Sequence, residues 1–202
     1  MKFDEVLANT DLPSRKREFV ESIKAFHKEK GYLTSNQEKY WSSIYEDYCE
    51  EAQVRKREWE ESYDSEKREI AKICATYYLE ASGRYSTGYF LELASSVVNS
   101  EDFIPTEKQY RAMCTNKYAK RVIEETRSEP KYKVGEFVKF RSGKIPYRVL
   151  HSHGSPKAAL VLETHAGSVK TAAKGAKLYK LLLVGTEETI LVEERVLKTY
   201  RR

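Results

Sequence analysis

Clustered lysine and arginine side chains are the residues of this chain best suited to chemistry, and that chemistry is electrostatic binding of an anion. The segment "GSVKTAAKGAKLYK", residues 167–180, carries a lysine every three or four residues between small side chains. Such a loop can lie close to a phosphate backbone and gain affinity through counterion release. The candidate phosphate-binding residues are Lys139, Arg141, Lys144, Arg148, Lys157, Lys170, Lys174, Lys177 and Lys180.

The charge of the chain is distributed unevenly along its length. Residues 1–130 hold 21 Lys and Arg against 25 Asp and Glu, a net of −4, whereas residues 131–202 hold 15 against 6, a net of +9. This asymmetry indicates contact with nucleic acid or another anionic surface. Few side chains there suit base-edge recognition, so we expect largely sequence-independent binding of DNA or RNA. An acidic protein partner, or no partner, are the alternatives.

No signature of catalysis, of a cofactor or of a metal site is recognisable. P-loop, GxGxxG and HExxH motifs are absent, as is a Ser-His-Asp order. Cys49, Cys74 and Cys114 are widely spaced without a CxxC, which is typical of reduced thiols in a cytoplasmic protein. His151 and His153 would point the same way on a strand, but a full ligand set is missing, so surface or packing histidines are the preferred interpretation. The sequence predicts a non-enzymatic protein.

Membrane insertion is not expected from the sequence. There is no run of about 18 apolar residues of the kind that spans a bilayer. The first ten residues do not combine a basic segment with an apolar one, so no secretory signal is predicted. We therefore expect a cytoplasmic protein with no membrane partner.

The elements that must position the basic residues change at "SEPKYKVGE", residues 128–136. Residues 1–128 are charged and glycine-poor, with apolar residues at three-four spacing, which predicts a helical domain. Residues 131–202 have glycines at turn-like intervals between five apolar segments, which predicts five short strands. Closure into a small barrel would remove the sheet edges. The expected strands are "KVGEFVKFR", "PYRVLHSHG", "AALVLETH", "KLYKLLLVG" and "TILVEERVLKTY", with core residues Phe137, Phe140, Val149, Leu160, Leu162, Leu182, Val184, Ile190 and Val192. In the third segment, Ala159 and Val161 are the alternative inward-facing pair.

A helix-capping pattern occurs twice in the helical domain. Thr34 and Thr106 are each followed three residues later by glutamine and preceded by an aromatic-led apolar stretch. Threonine and glutamine at this spacing form a capping box at a helix N-terminus. The pattern predicts similar helical hairpins over residues 14–48 and 86–122. An internal duplication and independent use of a common cap both explain it.

One tryptophan is a candidate contact for a protein partner. Trp59 lies among glutamates on a predicted helix, so we expect it to be partly exposed. Exposed tryptophans are frequent anchors of protein interfaces.

Two segments resemble known families. "FVESIKAFHKEKGYLTSNQEKYW" resembles a helical unit, F-x-x-S-[LI]…G-x-L-[ST]-x-x-Q, of many bacteriophage-encoded proteins that often adjoin nucleic-acid-handling modules. The second copy departs from it, with Leu93 in place of the serine and Glu101-Asp102 in place of the glycine. "VGEFVKFR" and "ILVEERVLK" resemble the first and last strands of SH3-like barrels of the KOW and Tudor type. The matching residues of the helical unit are Phe19, Ser22, Ile23, Gly31, Leu33, Thr34 and Gln37.

Together the resemblances imply an α+β phage accessory protein that acts in the host cytoplasm. Its barrel would bind nucleic acid, and its helical domain would dock a replication, recombination or transcription partner. The alternative is a protein–protein adaptor, or an inhibitor of a host machine, that makes no nucleic-acid contact.

Overall fold

The computed structural model describes residues 1–80, 88–153 and 158–200, and shows an α+β protein. Contacts divide the chain into two compact units, Met1–Tyr63 and Asp64–Arg202. The helices of the described residues are α1 (Phe3–Leu7), α2 (Ser14–Lys30), α3 (Ser35–Tyr48), α4 (Glu50–Ser62), α5 (Ser65–Glu80), α6 (Gly88–Asn99), α7 (Glu107–Cys114), α8 (Lys117–Arg127) and α9 (Tyr147–His153). The strands are β1 (Phe137–Phe140), β2 (Ala159–Thr164), β3 (Leu178–Leu183), β4 (Thr189–Glu193) and β5 (Leu197–Thr199), with a 3-10 helix at Glu194–Val196.

The first unit packs α1, α2 and α3 around apolar side chains that recur at helical spacing. Gly31, with a φ of 76°, ends α2, and its N–H donates to the His27 carbonyl at 2.8 Å. This left-handed conformation is the usual glycine C-cap, because glycine has no Cβ to clash. The buried cluster consists of Phe3, Val6, Leu12, Val20, Ile23, Trp41 and Ile44.

The two predicted N-caps are confirmed. The Thr34 hydroxyl accepts the Gln37 backbone N–H at 3.3 Å, and the Gln37 amide oxygen accepts the Thr34 N–H at 3.0 Å. Thr106 and Gln109 make the same pair of bonds at 3.3 and 2.9 Å. The capped helices differ in length, with 14 residues in α3 and 8 in α7. Internal duplication therefore stays a prediction.

The second unit contains α5–α9 and the sheet. Helix α5 contacts α6, α7 and α8. It is fully buried at Ala71, Cys74 and Ala75, whose small side chains let its neighbours approach closely. Helix α8 begins at an Asn116 cap, whose side chain accepts the N–H groups of Tyr118 and Ala119 at 3.0 Å each.

The sheet is antiparallel and has the strand order β4-β3-β2-β1-β5. Consecutive strands β1 to β4 pair with their neighbours, and β5 returns to pair with β1. Within the described residues β4 and β5 are the two edges, so the sheet is not closed into a barrel. Its core consists of Tyr132, Val138, Phe140, Val149, Ala159, Val161, Tyr179, Leu181, Leu183, Val192 and Leu197.

Five strands were expected and five are observed, but they are not the same five. The segment "PYRVLHSHG" forms helix α9 instead of a strand. Pro146 stands just before this helix, and its carbonyl accepts the Leu150 N–H at 3.0 Å. Val149 is nevertheless buried, as predicted for a core residue. The segment "TILVEERVLKTY" supplies both β4 and β5, because the 3-10 helix interrupts it.

The predicted inward face is wrong for several strand residues. Phe137, Leu162 and Val184 are 48%, 37% and 51% exposed, whereas Leu181 and Leu183 are buried. An unbroken apolar run such as "LLLV" allows either alternation of inward and outward faces, so its pattern does not choose between them. The register also shifts between Val161 and Glu163, and the buried pair in β2 is the alternative one, Ala159 and Val161.

The division between the two compact units falls at Tyr63 and Asp64, whereas the domain boundary expected near residues 128–131 stays a prediction. Helices α5–α8 therefore belong to the same compact unit as the sheet. The core cluster of the sheet nevertheless consists only of residues between Tyr132 and Leu197. Independent folding of residues 131–202 stays a prediction.

No helix in the described part of the chain combines the length and apolarity needed to cross a membrane.

Candidate nucleic-acid interface

The predicted basic residues fall into three parts of the sheet-bearing unit. Lys139 lies on β1, and Arg141 and Lys144 follow that strand. Lys170, Lys174 and Lys177 lie in the segment between β2 and β3, and Lys180 lies on β3 itself. Lys157 lies outside the described residues, and the side chain of Arg148 on α9 is likewise not described.

Lys177 does not belong to a phosphate-binding surface, because it is buried. Its residue exposure is 3%, and its Nζ lies 3.9 Å from a carboxylate oxygen of Glu125, which is also buried. The same Nζ donates to the Ser128 carbonyl at 3.3 Å and to the Ser128 hydroxyl. Ser128 is the C-cap of α8, where a cation also interacts favourably with the helix dipole. The role of Lys177 is to join α8 to the segment that leads into β3.

The Gly/Ala-rich character of residues 167–177 serves packing inside the protein. Gly175 is buried with a φ of 73°, and a Cβ there would stand 3.0 Å from the Arg195 Cβ. The Gly175 carbonyl accepts the Arg195 N–H at 2.8 Å, and the Lys177 carbonyl accepts the Glu194 N–H at 2.8 Å. The small residues thus let this segment lie against the 3-10 helix.

Of the two other lysines of this segment, one already has an acidic partner. Lys170 lies 3.7 Å from the Glu80 carboxylate, which also accepts the Ser168 hydroxyl at 2.6 Å. Lys174 is exposed, and none of the ion pairs between described residues includes it. Lys180 is exposed on β3 directly opposite Glu163 on β2, so its charge is partly balanced.

A second basic surface lies on β1 and β5, and we name it the β1–β5 strip: Phe137, Lys139, Lys198 and Tyr200. Lys139 and Lys198 are directly opposite each other in the register of the two strands. Phe137 and Tyr200 lie two residues further along, and their ring centroids are 6.4 Å apart. Residues two apart on a strand share a face, and directly opposite residues do too, so Phe137, Lys139 and Lys198 project from one side. Tyr200 lies one residue beyond β5, and its ring contact with Phe137 places it on the same side. The opposite side carries the buried pair Phe140 and Leu197.

The charges of the β1–β5 strip have no acidic partner. In the described residues neither Lys139 nor Lys198 lies within ion-pair distance of a carboxylate. Arg141 lies two residues after Lys139, just past the end of β1. It is exposed and donates from its Nε to the Leu197 carbonyl at 2.9 Å. Three cations therefore follow one another along the β1–β5 pair.

Sequence reasoning missed Lys198 and Tyr200, and it assigned Phe137 to the core. A signal was present in the two segments, since "FVK" at 137–139 and "KTY" at 198–200 each place an aromatic ring two residues from a lysine. Only the antiparallel pairing of β1 with β5 brings the two segments side by side.

The histidine pair lies on a helix and not on the strand that the sequence predicted. His151 and His153 lie on helix α9, and the side chain of His153 is outside the described part of the structure. His151 packs against the Tyr147 ring, with centroids 4.0 Å apart. Residues 151–153 are thus helical and do not form the strand considered for this pair.

A metal-like donor group does occur in the first unit. Glu5, Cys49 and Glu51 place one donor atom each within 4.8 Å of one another. Glu5 is already occupied by Lys2, at 3.1 Å, and by the Glu50 N–H, at 3.0 Å. The Glu51 carboxylate accepts hydrogen bonds from its own backbone N–H and from the Cys49 thiol, which lower its pKa. The potential metal ligands are thus already engaged in ion pairs and hydrogen bonds within the protein.

The remaining cysteines are buried and poorly suited to nucleophilic chemistry. A hydrogen bond with the Cys74 thiol, together with burial, raises the pKa of Cys114. A raised thiol pKa disfavours the thiolate, which is the reactive form.

Trp59, the predicted partner contact, is half-buried on α4, and its ring lies 5.8 Å from that of Tyr63.

Comparison of the chain with protein-family models, with curated proteins and with solved structures finds no match.

Proposed function

We propose that this chain is a non-enzymatic, phage-type accessory protein that binds the phosphates of nucleic acid through its sheet-bearing unit. The observation that carries the proposal is the opposed pair Lys139 and Lys198. Like charges directly opposite each other destabilise an antiparallel sheet. A phosphate lying across the pair would remove that repulsion, and Arg141 would supply a further cation beside it.

The arrangement of the sheet supports an SH3-like module, in an open form. Strands β1 to β4 follow one another as a meander, and β5 returns to the outer side of β1 after a 3-10 helix. This connectivity agrees with the resemblance of "VGEFVKFR" and "ILVEERVLK" to the first and last strands of such modules. Fold alone does not decide what such a module binds, so the charges carry the functional argument.

The helical unit Met1–Tyr63 is proposed to dock a protein of replication, recombination or transcription. Helix α4 has no fully buried residue, and it carries Trp59. A half-buried tryptophan on a polar helix offers a large apolar contact at modest entropic cost.

The test is a salt titration of DNA binding. We expect the full chain to bind duplex DNA in the micromolar range or more weakly at physiological salt, which is typical of sequence-independent binding. Log affinity should fall linearly with log salt, and four or five phosphate contacts would give a slope of about −4. The double variant Lys139→Met/Lys198→Met should make the slope shallower by up to about 2.

The matched control is Lys28→Met/Lys39→Met, which removes the same charge from exposed positions of the helical unit. Its slope should equal that of the wild type. If both double variants lose affinity equally, net charge and not the β1–β5 strip is responsible. If the wild type binds no DNA at about 50 mM salt, a concentration at which phosphate-binding proteins gain greatly in affinity, the proposal is wrong, and the protein–protein adaptor replaces it.

A further inference from the structure

We propose that the β1–β5 strip recognises single-stranded nucleic acid in particular, with bases stacked on Phe137 and Tyr200 and the neighbouring phosphates on Lys139 and Lys198. The inference rests on the proposed function and adds the form of nucleic acid that this surface takes.

An exposed phenylalanine lies on the sheet face beside a half-buried tyrosine. Phe137 is 48% exposed, although the opposite face of the same strand holds the core residues Val138 and Phe140. Its ring contacts Tyr200 at a centroid distance of 6.4 Å and an interplanar angle of 52°. Exposed rings beside a basic track are the shared feature of proteins that bind single strands without sequence preference.

A row of apolar side chains lies beside the rings on the same face of the sheet. Phe137 is directly opposite Leu160 on β2, and Leu160 is opposite Leu182 on β3. Both leucines are only partly buried, so an apolar row continues from Phe137 across the sheet. A base that leaves the Phe137 ring would still find an apolar surface to pack on. A charged phosphate would gain nothing from contact with that surface.

The spacing between the rings and the charges also fits a single strand of nucleic acid. Residues two apart on a strand are about 7 Å apart, and neighbouring strands are about 5 Å apart. The two rings therefore form one end of a small patch and the two ammonium groups form the other. The distance between the rings and the ammonium groups is comparable with the distance between a base and its own phosphate in an extended single strand of nucleic acid.

The same geometry argues against a duplex as the preferred ligand. In a duplex the base faces are covered by their neighbours, so rings on a sheet face cannot reach them. A purely electrostatic surface would favour the duplex, because its phosphates are more densely spaced and release more counterions. Preference for a single strand therefore distinguishes stacking from charge alone.

The experiment compares binding of the full-length protein to two fluorescent probes with equal backbone charge. One is an oligothymidine of about 20 nucleotides, within a few site sizes of a single-strand binder, and the other is an abasic oligomer of the same length. The wild type should bind oligothymidine more tightly, by about 5-fold to 150-fold for one stacked base. Equal affinity for the two probes would overturn the inference and leave phosphate binding intact.

Two single variants then assign the difference to the strip. Phe137→Leu and Tyr200→Leu keep apolar volume and remove the flat ring, so each should lower affinity for oligothymidine and leave the abasic probe unaffected. The control is Tyr147→Leu on α9, which removes a ring that is 75% exposed outside the strip. If Tyr147→Leu has the same effect as the other two, or if neither strip variant has an effect, the stacking site is not where we place it.

The outcomes separate this inference from the proposed function. Equal affinity for the two probes, or tighter binding of the duplex used in the salt titration than of oligothymidine, refutes the single-strand inference alone. Absence of binding to either probe at low salt refutes the proposed function and the inference with it. The comparison of probes uses only wild-type protein, so it holds even if a variant does not fold.

Discussion

Replacement of Lys177 by methionine should destabilise the sheet-bearing unit far more than replacement of any neighbouring lysine. Lys177 Nζ lies 3.9 Å from the Glu125 carboxylate, and the side chains of the two residues are only 4% and 9% exposed. Methionine fills similar volume but leaves Glu125 buried without its cation. Removal of one partner from a buried ion pair costs about 3–5 kcal/mol. A domain of ordinary stability has about 5–15 kcal/mol in total.

The double variant Lys177→Met/Glu125→Leu tests the cause of this loss. Apolar replacement of a whole buried pair is often neutral or stabilising, so the double variant should regain most of the stability lost by the single one. The control is Lys174→Met, an exposed lysine of the same segment, which should change the free energy of unfolding by no more than about 0.5 kcal/mol.

The assay is urea denaturation of the full chain followed by far-ultraviolet circular dichroism. Trp41 and Trp59 are the only tryptophans and both lie in Met1–Tyr63, so their fluorescence reports on the unit that is not altered. A loss below about 1 kcal/mol for Lys177→Met, the value expected of a surface pair, would refute our placement of this lysine in the interior. Unchanged salt dependence of DNA binding in the same variant would show that Lys177 is not a phosphate contact.

Three further predictions concern the helix caps, the thiols and the independence of the sheet. Thr34→Ala and Thr106→Ala should each cost about 1 kcal/mol, whereas threonine-to-serine changes at the same positions should cost little, because serine keeps the capping oxygen; urea midpoints measure both. The three buried cysteines should react with a maleimide at pH 8 only after denaturant is added, as followed by mass spectrometry, and rapid labelling of the native protein would contradict their burial. Residues 129–202 should fold alone, since the apolar core of the sheet lies within that range, but they should be less stable than residues 64–202 because Lys177 loses Glu125 and Ser128. Proton NMR of the two chains would reveal an unfolded fragment by its lack of dispersed signals.

The helical elements were predictable because their signals are local. The capping boxes at Thr34 and Thr106 require only residues three positions apart, and Gly31 ends α2 by its own conformational freedom. The same locality explains the error at α9. "PYRVLHSHG" places Tyr147, Val149 and His151 in an alternation that a strand and a short helix both accommodate. Burial of Val149 from a helix decides between them, and that depends on tertiary packing.

The candidate interface was only partly predictable because it depends on which charges are balanced. Lys170 and Lys177 look like Lys174 in the sequence, yet the first contacts Glu80 and the second contacts Glu125. Both glutamates lie in helices that precede the sheet, on α5 and α8. No spacing rule connects residues so far apart in the chain, so the run of lysines overstated the available charge.

Net charge alone does not locate an anion site, since a folded protein cancels many of its charges internally. In this sheet-bearing unit Arg195 pairs with Glu193, and buried Lys177 pairs with Glu125. Lys139 and Lys198 are different, because folding brings two cations opposite each other, and neither forms an ion pair with a carboxylate of the described residues. Such a pair is unfavourable in the free protein by up to about 1 kcal/mol. Because a bound phosphate would remove that repulsion as well as add its own attraction, the free energy of binding would gain from both, and an anion is therefore the partner that we propose for this surface.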